Sequence, residues 1–535
     1  MAAVKERLES AGLVERLDAF LRQQRWFGGK ARGIGSLEIL DVIPMSDERV
    51  SADLVLASVK YADRYPDETY AIPLLNADVG LRETDSRKES GIQPAASETG
   101  GEIQDALVHP AFLTLLLKAV DRGLIFRGRK GEVFATPAST YHRGAGEPLE
   151  EIKPTLLKVE QSNSSVVFGD RFILKLLRQV GEGINPELEI GSFLTERARF
   201  THVPAVTGSI DYRGAEGTGR TLAILQSFIP NQGNAWEYTL EALAAYFPRL
   251  LKAGRAAPPA AQRSGHFSGD AREEARTTVQ EFIGPYLQAA ELLGRRTAEL
   301  HLALSSDHQD AGFAPEPLSA PYLAVLQRSA MEQCARVLQL LRGQLSALSG
   351  GARERAETLL GMQAALEQRL QSVADANLNG GRIRVHGDYH LGQVLCASGD
   401  FVIIDFEGEP ARPLSERREK HSPLQDVAGM LRSFHYAAQM GMYNWLAQGQ
   451  SKTAAPFDVP GWSRFWRDSV CSHFLDTYTG VAEKAKLLPR SSRDRESLLD
   501  FHLLSKAIYE LGYELNNRPD WATLPLDGML EVLGV

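Results

Sequence analysis

The spacing of apolar residues along the first 125 positions predicts a small α+β unit. Apolar side chains at helical spacing predict an amphipathic helix over residues 4–24. After Gly28-Gly29 the pattern changes to runs typical of strands, and a second helix is predicted around residues 110–122. The strands predicted in this part cover residues 37–43, 52–61 and 68–75. The polar, Gly/Ser/Pro-containing stretch 84–104 is predicted to be an exposed loop.

The pattern after residue 125 predicts a second β-rich part and then a helical remainder. Three short apolar strands are joined by a polar Ser/Asn turn and by Gly169-Asp170, and a helix and further strands, the last at 221–228, follow them. These strands are predicted at 155–161, 165–168, 171–177 and 221–228, with the helix at 186–199. Helical periodicity dominates from residue 231 onward. Two segments interrupt it: a polar stretch at 253–276, predicted as a loop, and a strand–loop–strand segment at 382–410.

Composition excludes several classes of protein. The net charge is −9 with no basic stripe, so the charge pattern argues against a nucleic-acid partner. Cys334, Cys396 and Cys471 are far apart and match no zinc spacing or disulfide framework, which suits a reducing cytoplasm. No stretch approaches the ~20 apolar residues that span a bilayer. A cytoplasmic protein with no membrane partner is expected.

The strongest chemical signal lies in the strand–loop–strand segment. The sequence His386-Gly-Asp-Tyr-His-Leu-Gly-Gln393 is followed by an apolar run that leads into Asp405. In kinase catalytic loops, one aspartate orients the acceptor hydroxyl and takes its proton, while a carboxamide five residues later and another carboxylate hold Mg²⁺. The spacing therefore predicts Asp388 as the base and Gln393 and Asp405 as Mg²⁺ ligands in an ATP-dependent kinase.

Other interpretations fit parts of this pattern. An aspartate often caps a turn, so either aspartate by itself indicates little. A glycoside hydrolase also uses two carboxylates, but that activity leaves Gln393 and the lysine described next without a role. His386 is predicted to brace the loop through its ring nitrogens. His390 is predicted either to contact the substrate or to pack within the loop.

A lysine on an apolar strand gives the second signal. Lys175 lies in Phe172-Ile-Leu-Lys-Leu-Leu177, between a predicted hairpin and a predicted helix. In the small lobe of kinases such a lysine binds the α- and β-phosphates and is held by a glutamate from a helix. Spacing favours Glu189 as this glutamate, with Glu187 as the alternative. The structural alternative is an edge-strand lysine that faces water.

The other predicted nucleotide contacts come from two turns. No Gly-rich phosphate loop is present, and a Ser/Asn turn stands in its place, whose hydroxyl and backbone N–H groups can bond phosphate oxygens. A second turn, after the last strand of this part, lies where an interlobe hinge would offer backbone groups to adenine. Both segments could also be plain turns. The residues predicted to contact the nucleotide, besides Lys175 and Glu189, are Ser162, Asn163, Ser164, Ser165, Gln226 and Phe228.

Together these stretches resemble the bacterial maltokinases, relatives of the aminoglycoside phosphotransferases within the eukaryotic-like kinase fold. The stretches that carry the resemblance are 24–32, 160–167, 386–395, 404–414 and 422–434. The resemblance implies an α+β, bilobal protein-kinase-like fold with an extra N-terminal cap. Its predicted parts are a cap subdomain over 1–125, a β-rich intermediate subdomain (the kinase small lobe) over 126–230, and a helical C-terminal lobe with the catalytic loop over 231–535.

The resemblance also implies an activity. Family members use ATP and Mg²⁺ to phosphorylate maltose at its reducing-end hydroxyl, and the maltose 1-phosphate feeds α-glucan (glycogen) synthesis. A trehalose synthase often supplies the maltose and is a partner that the resemblance allows. On this comparison Asp388 matches the catalytic aspartate, Gln393 and Asp405 match the metal ligands, and Lys175 matches the phosphate-binding lysine.

One face of a C-terminal helix suits a sugar. Two tyrosines there alternate with charged residues at helical spacing, so aromatic rings can cover the C–H surface of a disaccharide while the charges bond its hydroxyls. A surface stripe with a Lys–Glu pair is the alternative. The residues predicted to contact the acceptor are His390, Glu407, Arg432, Lys506, Tyr509, Glu510 and Tyr513, with Trp521 as a further candidate. Asp426 is predicted to cap the helix that follows it.

Two other functions stay open from the sequence. The same fold could phosphorylate glucosamine or another aminosugar or aminoglycoside, for which Glu407, Glu409 and Glu510 could form an acidic pocket. A catalytically silent module that docks a trehalose synthase is the other rival. The joint presence of the base, both metal ligands and the lysine argues against a silent module.

Overall fold

The computed structural model divides the chain into two compact units. Unit 1 comprises Met1–Arg197 and Pro204–Pro230, and unit 2 comprises Ala198–Val203 and Asn231–Val535. Each unit is described by itself. The structure describes residues 11–62, 66–76, 103–142, 148–149, 151–157, 163–217, 219–259, 269–375, 378–409, 412–449 and 457–535.

Unit 1 is built on two antiparallel sheets. Its strands are β1 (Ile34–Ser46), β2 (Ser51–Tyr61), β3 (Glu68–Leu75), β4 (Ile125–Arg127), β5 (Gly131–Pro137), β6 (Pro154–Leu156), β7 (Asn163–Phe168), β8 (Phe172–Leu177), β9 (Val206–Gly214) and β10 (Gly219–Ser227). Its helices are α1 (Ala11–Gln23), α2 (Pro110–Arg122) and α3 (Pro186–Ser192), with short 3₁₀ turns at Gly28–Ala31 and Ala106–Val108 and a π turn at Phe193–Arg197.

The first sheet, in the order β1-β2-β3, carries α1 on one side. Leu17 and Leu21 of α1 are buried in a cluster with Val55 and Ile72 of the sheet. The helix and the three strands were predicted from apolar periodicity and are confirmed, the helix over its described residues 11–23. Residues 4–10 of that prediction, and nearly all of the predicted loop 84–104, lie outside the described residues.

The second sheet has seven strands in the described part of the chain, in the order β4-β5-β9-β10-β8-β7-β6. Phe112 and Leu116 of α2 share one buried cluster with Val133, Leu174 and Leu225 of this sheet. Burial of each such side chain contributes about 1.5–3 kcal/mol. The predicted bounds of α2 match the structure, because a proline begins the helix and Gly123, with φ of 61°, ends it.

The strand that carries Lys175 leads directly into the first sheet. The backbone carbonyl of Arg178 accepts a 2.8 Å hydrogen bond from the N–H of Ala71, and the N–H of Val180 donates to the carbonyl of Thr69 at 2.8 Å. Residues 178–180 therefore pair with β3 as soon as β8 ends. Of the predicted strand 155–161, β6 contains residues 155 and 156, Leu157 lies outside it, and residues 158–161 lie outside the described part.

Unit 2 is mostly helical. Its helices are α4 (Ala235–Lys252), α5 (Gly269–Phe282), α6 (Gly284–Leu304), α7 (Ala320–Gln344), α8 (Gly350–Gly361), α9 (Gln363–Asp375), α10 (Leu414–Arg417), α11 (Leu424–Ala447), α12 (Val459–Ala482), α13 (Ser492–Asn517) and α14 (Thr523–Val532). Its strands form two short antiparallel pairs, β11 (Glu316–Pro317) with β12 (Gly381–Arg382) and β13 (Val394–Ala397) with β14 (Asp400–Ile403). Short 3₁₀ turns occupy Leu391–Gln393, Glu483–Ala485 and Pro519–Trp521.

Two expectations about unit 2 need correction. The loop predicted over residues 253–276 is wrong for its last eight residues, because α5 begins at Gly269. The apolar run before Asp388 was expected to be a strand, but only Gly381–Arg382 is one, and Ile383 forms a single bridge with His421. In the described part of the chain, no helix combines the length and the apolar character that crossing a membrane requires.

Candidate active site

The catalytic loop of unit 2 is braced by His386, as expected. This histidine is buried, its Nε2 donates to the carbonyl of Ile404 at 2.9 Å, and its Nδ1 accepts a long bond of 3.4 Å from the N–H of Asp388. Gly387 has φ of 85°, a left-handed conformation that glycine adopts at little cost. The loop therefore turns sharply just before Asp388 and presents its side chain, which is 25% exposed.

Helix α11 holds this loop through one face. Asp426 accepts hydrogen bonds from the N–H of His386 at 2.8 Å and of Gly387 at 3.0 Å, and Ser433 Oγ accepts one from Leu391 N–H at 3.1 Å. Gly429 lies between Asp426 and Ser433 on the helix and is close to the loop: a Cβ added to it would stand 2.6 Å from the carbonyl oxygen of Tyr389. Positions 426, 429 and 433 share a helix face because about 3.6 residues make one turn.

The prediction that Asp426 caps its own helix was wrong. Helix α11 begins at Leu424 and its N-cap position is Pro423, so Asp426 lies inside the first turn. Its carboxylate is buried, and Oδ2 also lies 3.1 Å from Nε2 of the buried His301. Burial alone would raise the pKa of Asp426, but hydrogen bonds from His301 and from the loop outweigh burial and hold the pKa below its ordinary value. Asp426 thus stays ionised as an acceptor for the loop.

Gln393 and Asp405 meet at the base of the β13–β14 hairpin. Gln393 precedes β13, Asp405 follows β14, and the Nε2 of Gln393 donates to Oδ2 of Asp405 at 2.6 Å. Asp405 has φ of 69°, a conformation that aspartate tolerates better than most residues. Carboxylate and amide oxygens are the ligands that Mg²⁺ prefers, so the donor set of these two side chains fits that ion.

Lys506 of α13 is bonded directly to the predicted base. Its Nζ donates to Asp388 Oδ1 at 3.1 Å and to Glu409 Oε1 at 3.0 Å. Burial alone would raise the pKa of Asp388, but Lys506 and then His390 outweigh it, so the pKa lies below its ordinary value. Burial would likewise lower the pKa of Lys506, but Glu409 and Asp388 raise it. The pair is therefore fully charged at neutral pH.

His390 lies beside the other oxygen of the base. Its Nε2 is 3.9 Å from Asp388 Oδ2, and its Nδ1 accepts a 3.1 Å bond from the N–H of Gly392. Because Nδ1 is an acceptor, the ring proton of the neutral form resides on Nε2 and faces Asp388. Burial lowers the pKa of His390, so the neutral form prevails at pH 7. His390 therefore lies next to the predicted base, and its contact with the substrate stays a prediction.

The other residues predicted on the acceptor side take different positions. The ring of Tyr509 lies 4.9 Å from Lys506 Nζ. Glu510 accepts 2.9 and 2.7 Å bonds from Arg432, which is buried, so Arg432 braces Glu510 and does not offer a surface to a sugar. Tyr513 is half exposed at 49% and lies under the guanidinium of Arg518.

Two acceptor candidates lie apart from this helix face. Glu407 is 3.9 Å from the guanidinium of Arg417. Trp521 stacks on Tyr436 with ring centres 6.5 Å apart. The helix itself, and the common face of Lys506, Tyr509 and Glu510, were predicted from periodicity and are confirmed by α13.

In unit 1, Lys175 projects from β8 and is bonded to a helix glutamate. Its Nζ lies 2.8 Å from Oε2 of Glu187, which is almost fully buried. Gln226 of β10 donates to the other oxygen of this carboxylate at 3.3 Å. The glutamate bonded to Lys175 here is Glu187, which was the second choice from spacing after Glu189. A lysine held in this way is not an edge-strand lysine facing water.

Arg178 is a residue of this region that the sequence did not indicate. It is buried, donates from Nε to Ser164 Oγ at 2.8 Å and from Nη2 to Asp105 at 2.6 Å, and its guanidinium lies 4.7 Å from the ring centre of Trp26. Arg178 thus connects the predicted phosphate-binding turn with residues that lie far away in the chain. No local motif could have revealed this, because each partner is distant in sequence.

The predicted nucleotide contacts divide into three groups. Asn163, Ser164 and Ser165 begin β7 and are buried, while Ser162 lies outside the described residues. The N–H of Phe228 donates to the carbonyl of Arg171 at 2.9 Å, so the adenine contact predicted there can use only its carbonyl oxygen.

Comparison with known proteins agrees with this architecture. Residues 20–97 match the family model of the maltokinase N-terminal cap domain. A glucosamine kinase from Streptacidiphilus jiangxiensis is 23% identical over 376 residues, which cover 69% of this chain and 70% of that relative. A glucosamine kinase from Mycolicibacterium smegmatis is 25% identical over 370 residues, which cover 69% of this chain and 77% of that relative.

Solved structures share the fold across nearly the whole chain. A glucosamine kinase in crystal form B matches with a TM-score of 0.61 at 18% identity, over 94% of this chain and 95% of that one. A glucosamine kinase in complex with glucosamine, ADP and inorganic phosphate matches with a TM-score of 0.60 at 18% identity, over 94% of both chains.

The protein therefore has a kinase-like α+β fold, and its similarity to kinases places it among the phosphotransferases. Within that class, residues 20–97 match the maltokinase N-terminal cap, as the resemblance in sequence implied, and the chain is similar to glucosamine kinases.

Proposed function

We propose that the protein transfers the γ-phosphate of ATP to the reducing-end hydroxyl of maltose and so forms maltose 1-phosphate. The observation that carries this proposal is the arrangement of the catalytic loop. Asp388 is ionised and partly exposed beside a helix face that bears Tyr509, and Gln393 and Asp405 of the same segment are in contact. Phosphoryl transfer requires this set of a base and oxygen ligands.

Each residue has a distinct role in this proposal. Asp388 accepts a hydrogen bond from the acceptor hydroxyl, orients it and receives its proton, and Lys506 fixes the carboxylate that does so. Gln393 and Asp405 would hold Mg²⁺, which would screen the negative charge of the phosphates. Lys175, held by Glu187, bonds the α- and β-phosphates. Ser164 and its neighbours in β7 bond phosphate oxygens.

Two observations support maltose as the acceptor. The cap is of the maltokinase type, and the carboxylates next to Asp388 are balanced by cations of the same chain, which suits an uncharged sugar. The names of the curated relatives favour glucosamine as a second candidate. From the maltokinase resemblance we further place the enzyme in the cytoplasm, in α-glucan (glycogen) synthesis, with a trehalose synthase as the source of maltose and as a partner.

An acceptor panel tests the proposal. ATP consumption is measured with maltose, glucose, glucosamine, N-acetylglucosamine and an aminoglycoside, and the product of the best acceptor is examined by ³¹P and ¹³C NMR. We expect the highest kcat/KM with maltose and a phosphate on its anomeric carbon. A higher kcat/KM with glucosamine would replace maltose by the second candidate. Absence of transfer to every sugar, by a folded protein that binds ATP, would overturn the kinase proposal itself.

A further inference from the structure

Lys506 joins the catalytic loop to the helix face on which the acceptor was predicted to bind. Its ammonium lies 3.1 Å from Asp388 Oδ1, 3.0 Å from Glu409 Oε1 and 4.9 Å from the centre of the Tyr509 ring. The side chains of Lys506 and Asp388 are 22% and 25% exposed, so a ligand can reach both. The positive charge of Lys506 therefore contacts the carboxylate of Asp388, which in the proposed reaction receives the proton of the acceptor.

The acidic groups around this ammonium are paired within the chain. The second oxygen of Glu409 lies 2.8 Å from Nε of Arg412, and Glu510 lies 2.7 Å from Nη2 of Arg432. Among the described residues, Asp388, Glu409 and Glu510 are thus matched by Lys506, Arg412 and Arg432. The acidic pocket that an amine would require is present in sequence, but in the structure its carboxylates are neutralised by cations of the same chain.

This charge balance has different consequences for neutral and cationic sugars. A sugar hydroxyl can donate to Asp388 or Glu409 and accept from Lys506, so a neutral sugar satisfies both signs of charge at once. The ammonium of an amino sugar can only donate, and it would have to approach Lys506 and Arg412 in a site where the side chain of Lys506 is only 22% exposed. Like charges a few ångströms apart in such a site repel by enough to change affinity about tenfold or more.

We propose that Lys506 is a specificity-determining residue. It admits neutral sugars to the acceptor site beside Asp388 and excludes amino sugars from it. This inference rests on the phosphotransferase function proposed above and goes beyond it, because it assigns the choice between the two candidate acceptors to one side chain.

The test compares glucose with glucosamine, which differ only in the group on carbon 2. The measured quantity is the ratio of kcat/KM for glucosamine to kcat/KM for glucose, determined for the wild type and for Lys506→Met. Methionine has a similar length without the charge. We expect the ratio to rise about tenfold in Lys506→Met, because Glu409 becomes available to the ligand ammonium. A purely structural loss of order around Asp388 would lower both values and leave the ratio unchanged.

Two further variants make the test directional. Lys506→Arg keeps the charge and should keep the ratio of the wild type within about twofold, since only the shape of the cation changes. Glu409→Gln removes one of the two carboxylates that pair with Lys506. The ammonium of glucosamine should then be repelled more strongly, and the ratio should fall. An equal ratio in the wild type and in Lys506→Met overturns the proposal, as does a rise in Lys506→Arg as large as that in Lys506→Met.

A binding measurement separates this inference from the proposed function. Dissociation constants for glucose and glucosamine are measured by titration calorimetry in the presence of ADP and Mg²⁺. They give the ratio of the two affinities, a measure of the same preference that needs no turnover. If the wild type transfers phosphate to no sugar, the proposed function fails, and the binding ratio still decides the role of Lys506. If transfer occurs and neither ratio responds to Lys506→Met, only the role of Lys506 fails.

Discussion

The carboxylate of Asp426 accepts a hydrogen bond of 2.8 Å from the backbone N–H of His386. A second bond, of 3.0 Å, comes from Gly387, the residue directly before the predicted base Asp388. The conformation of the catalytic loop is therefore set by a charged group on a helix that lies about 40 residues later in the chain. Asp426 is a positioning residue, since it acts on the chemistry through the backbone of the loop.

Asp426→Asn should lower kcat about 100-fold and change the KM for ATP by less than about threefold, because loss of one charged acceptor displaces Asp388 without touching the nucleotide residues. Steady-state kinetics with varied ATP measure both values. Asp458→Asn is the matched control: Asp458 caps α12 through the N–H of Gly461 and should leave kcat within about twofold. An equal loss of kcat in both variants would contradict the positioning role.

Asp388→Asn should keep the fold and lower kcat by about 10²–10⁴-fold, because the amide cannot take the proton of the acceptor. Circular dichroism and thermal melting check the fold, and ATP-coupled kinetics check the rate. Asp400→Asn provides the control, since Asp400 lies on the neighbouring β13–β14 hairpin and its carboxylate pairs with Arg296 of α6. A wild-type rate in Asp388→Asn would remove this residue from the role of base.

Glu187→Gln should raise the KM for ATP as Lys175→Met does, though less, because Lys175 loses the carboxylate that fixes its position. Glu189→Gln changes the same residue type two positions away and should have a smaller effect. The KM for the sugar should change little in all three variants. The assignment of Glu187 fails if Glu189→Gln raises the KM for ATP more than Glu187→Gln does.

Chelation of divalent cations with EDTA should abolish transfer, and added Mg²⁺ should restore it, because Gln393 and Asp405 offer oxygen ligands that suit this ion. Asp405→Asn should raise the Mg²⁺ concentration needed for half-maximal rate by about tenfold or more, since a carboxylate is lost from the donor set. Unchanged Mg²⁺ dependence in Asp405→Asn would exclude Asp405 as a ligand.

Acid should destabilise unit 2 through His502. Burial lowers the pKa of this histidine to about 3, so between its ordinary pKa of about 6.5 and that value only the unfolded chain binds the proton. Stability contributed by the neutral imidazole is therefore present above pH 6.5 and is lost as the pH falls, by about 2 kcal/mol at pH 5. His502→Gln should flatten the decline of the apparent melting temperature between pH 6.5 and 5.

The exposed His308 supplies the control for this measurement. His308→Gln should leave the slope of melting temperature against pH unchanged, because His308 is exposed and its replacement leaves the buried surroundings of His502 as they are. A slope in His502→Gln equal to that of the wild type would show that other groups cause the acid sensitivity.

Local patterns account for the parts of the site that could be predicted. Helix α2 was predicted to the residue, because a proline and a left-handed glycine mark its ends. Gln393 and Asp405 were predicted as a pair from the spacing of kinase catalytic loops, and in the structure a short hairpin, in which Val394 pairs with Ile403, brings them together. Interactions within such short segments depend little on the rest of the molecule.

The choice between Glu187 and Glu189 could not be made from spacing. Residues two apart on a helix point about 200° away from each other, so only one of them can face the sheet. Which one does so depends on how α3 is rotated against β8 and β10, and that rotation is fixed by packing of the whole helix.

The sequence by itself determined the order and type of most elements, the kinase-like class and the catalytic-loop residues, because periodicity and short-range spacing encode them. Only the tertiary structure decided which distant charges surround those residues: Asp426 under the loop, Arg178 behind Ser164, and Lys506 on Asp388 across 118 positions. The physical reason is that a charge in a partly buried site is stabilised by whichever opposite charge the fold brings within about 3 Å, and separation along the chain has no bearing on that distance.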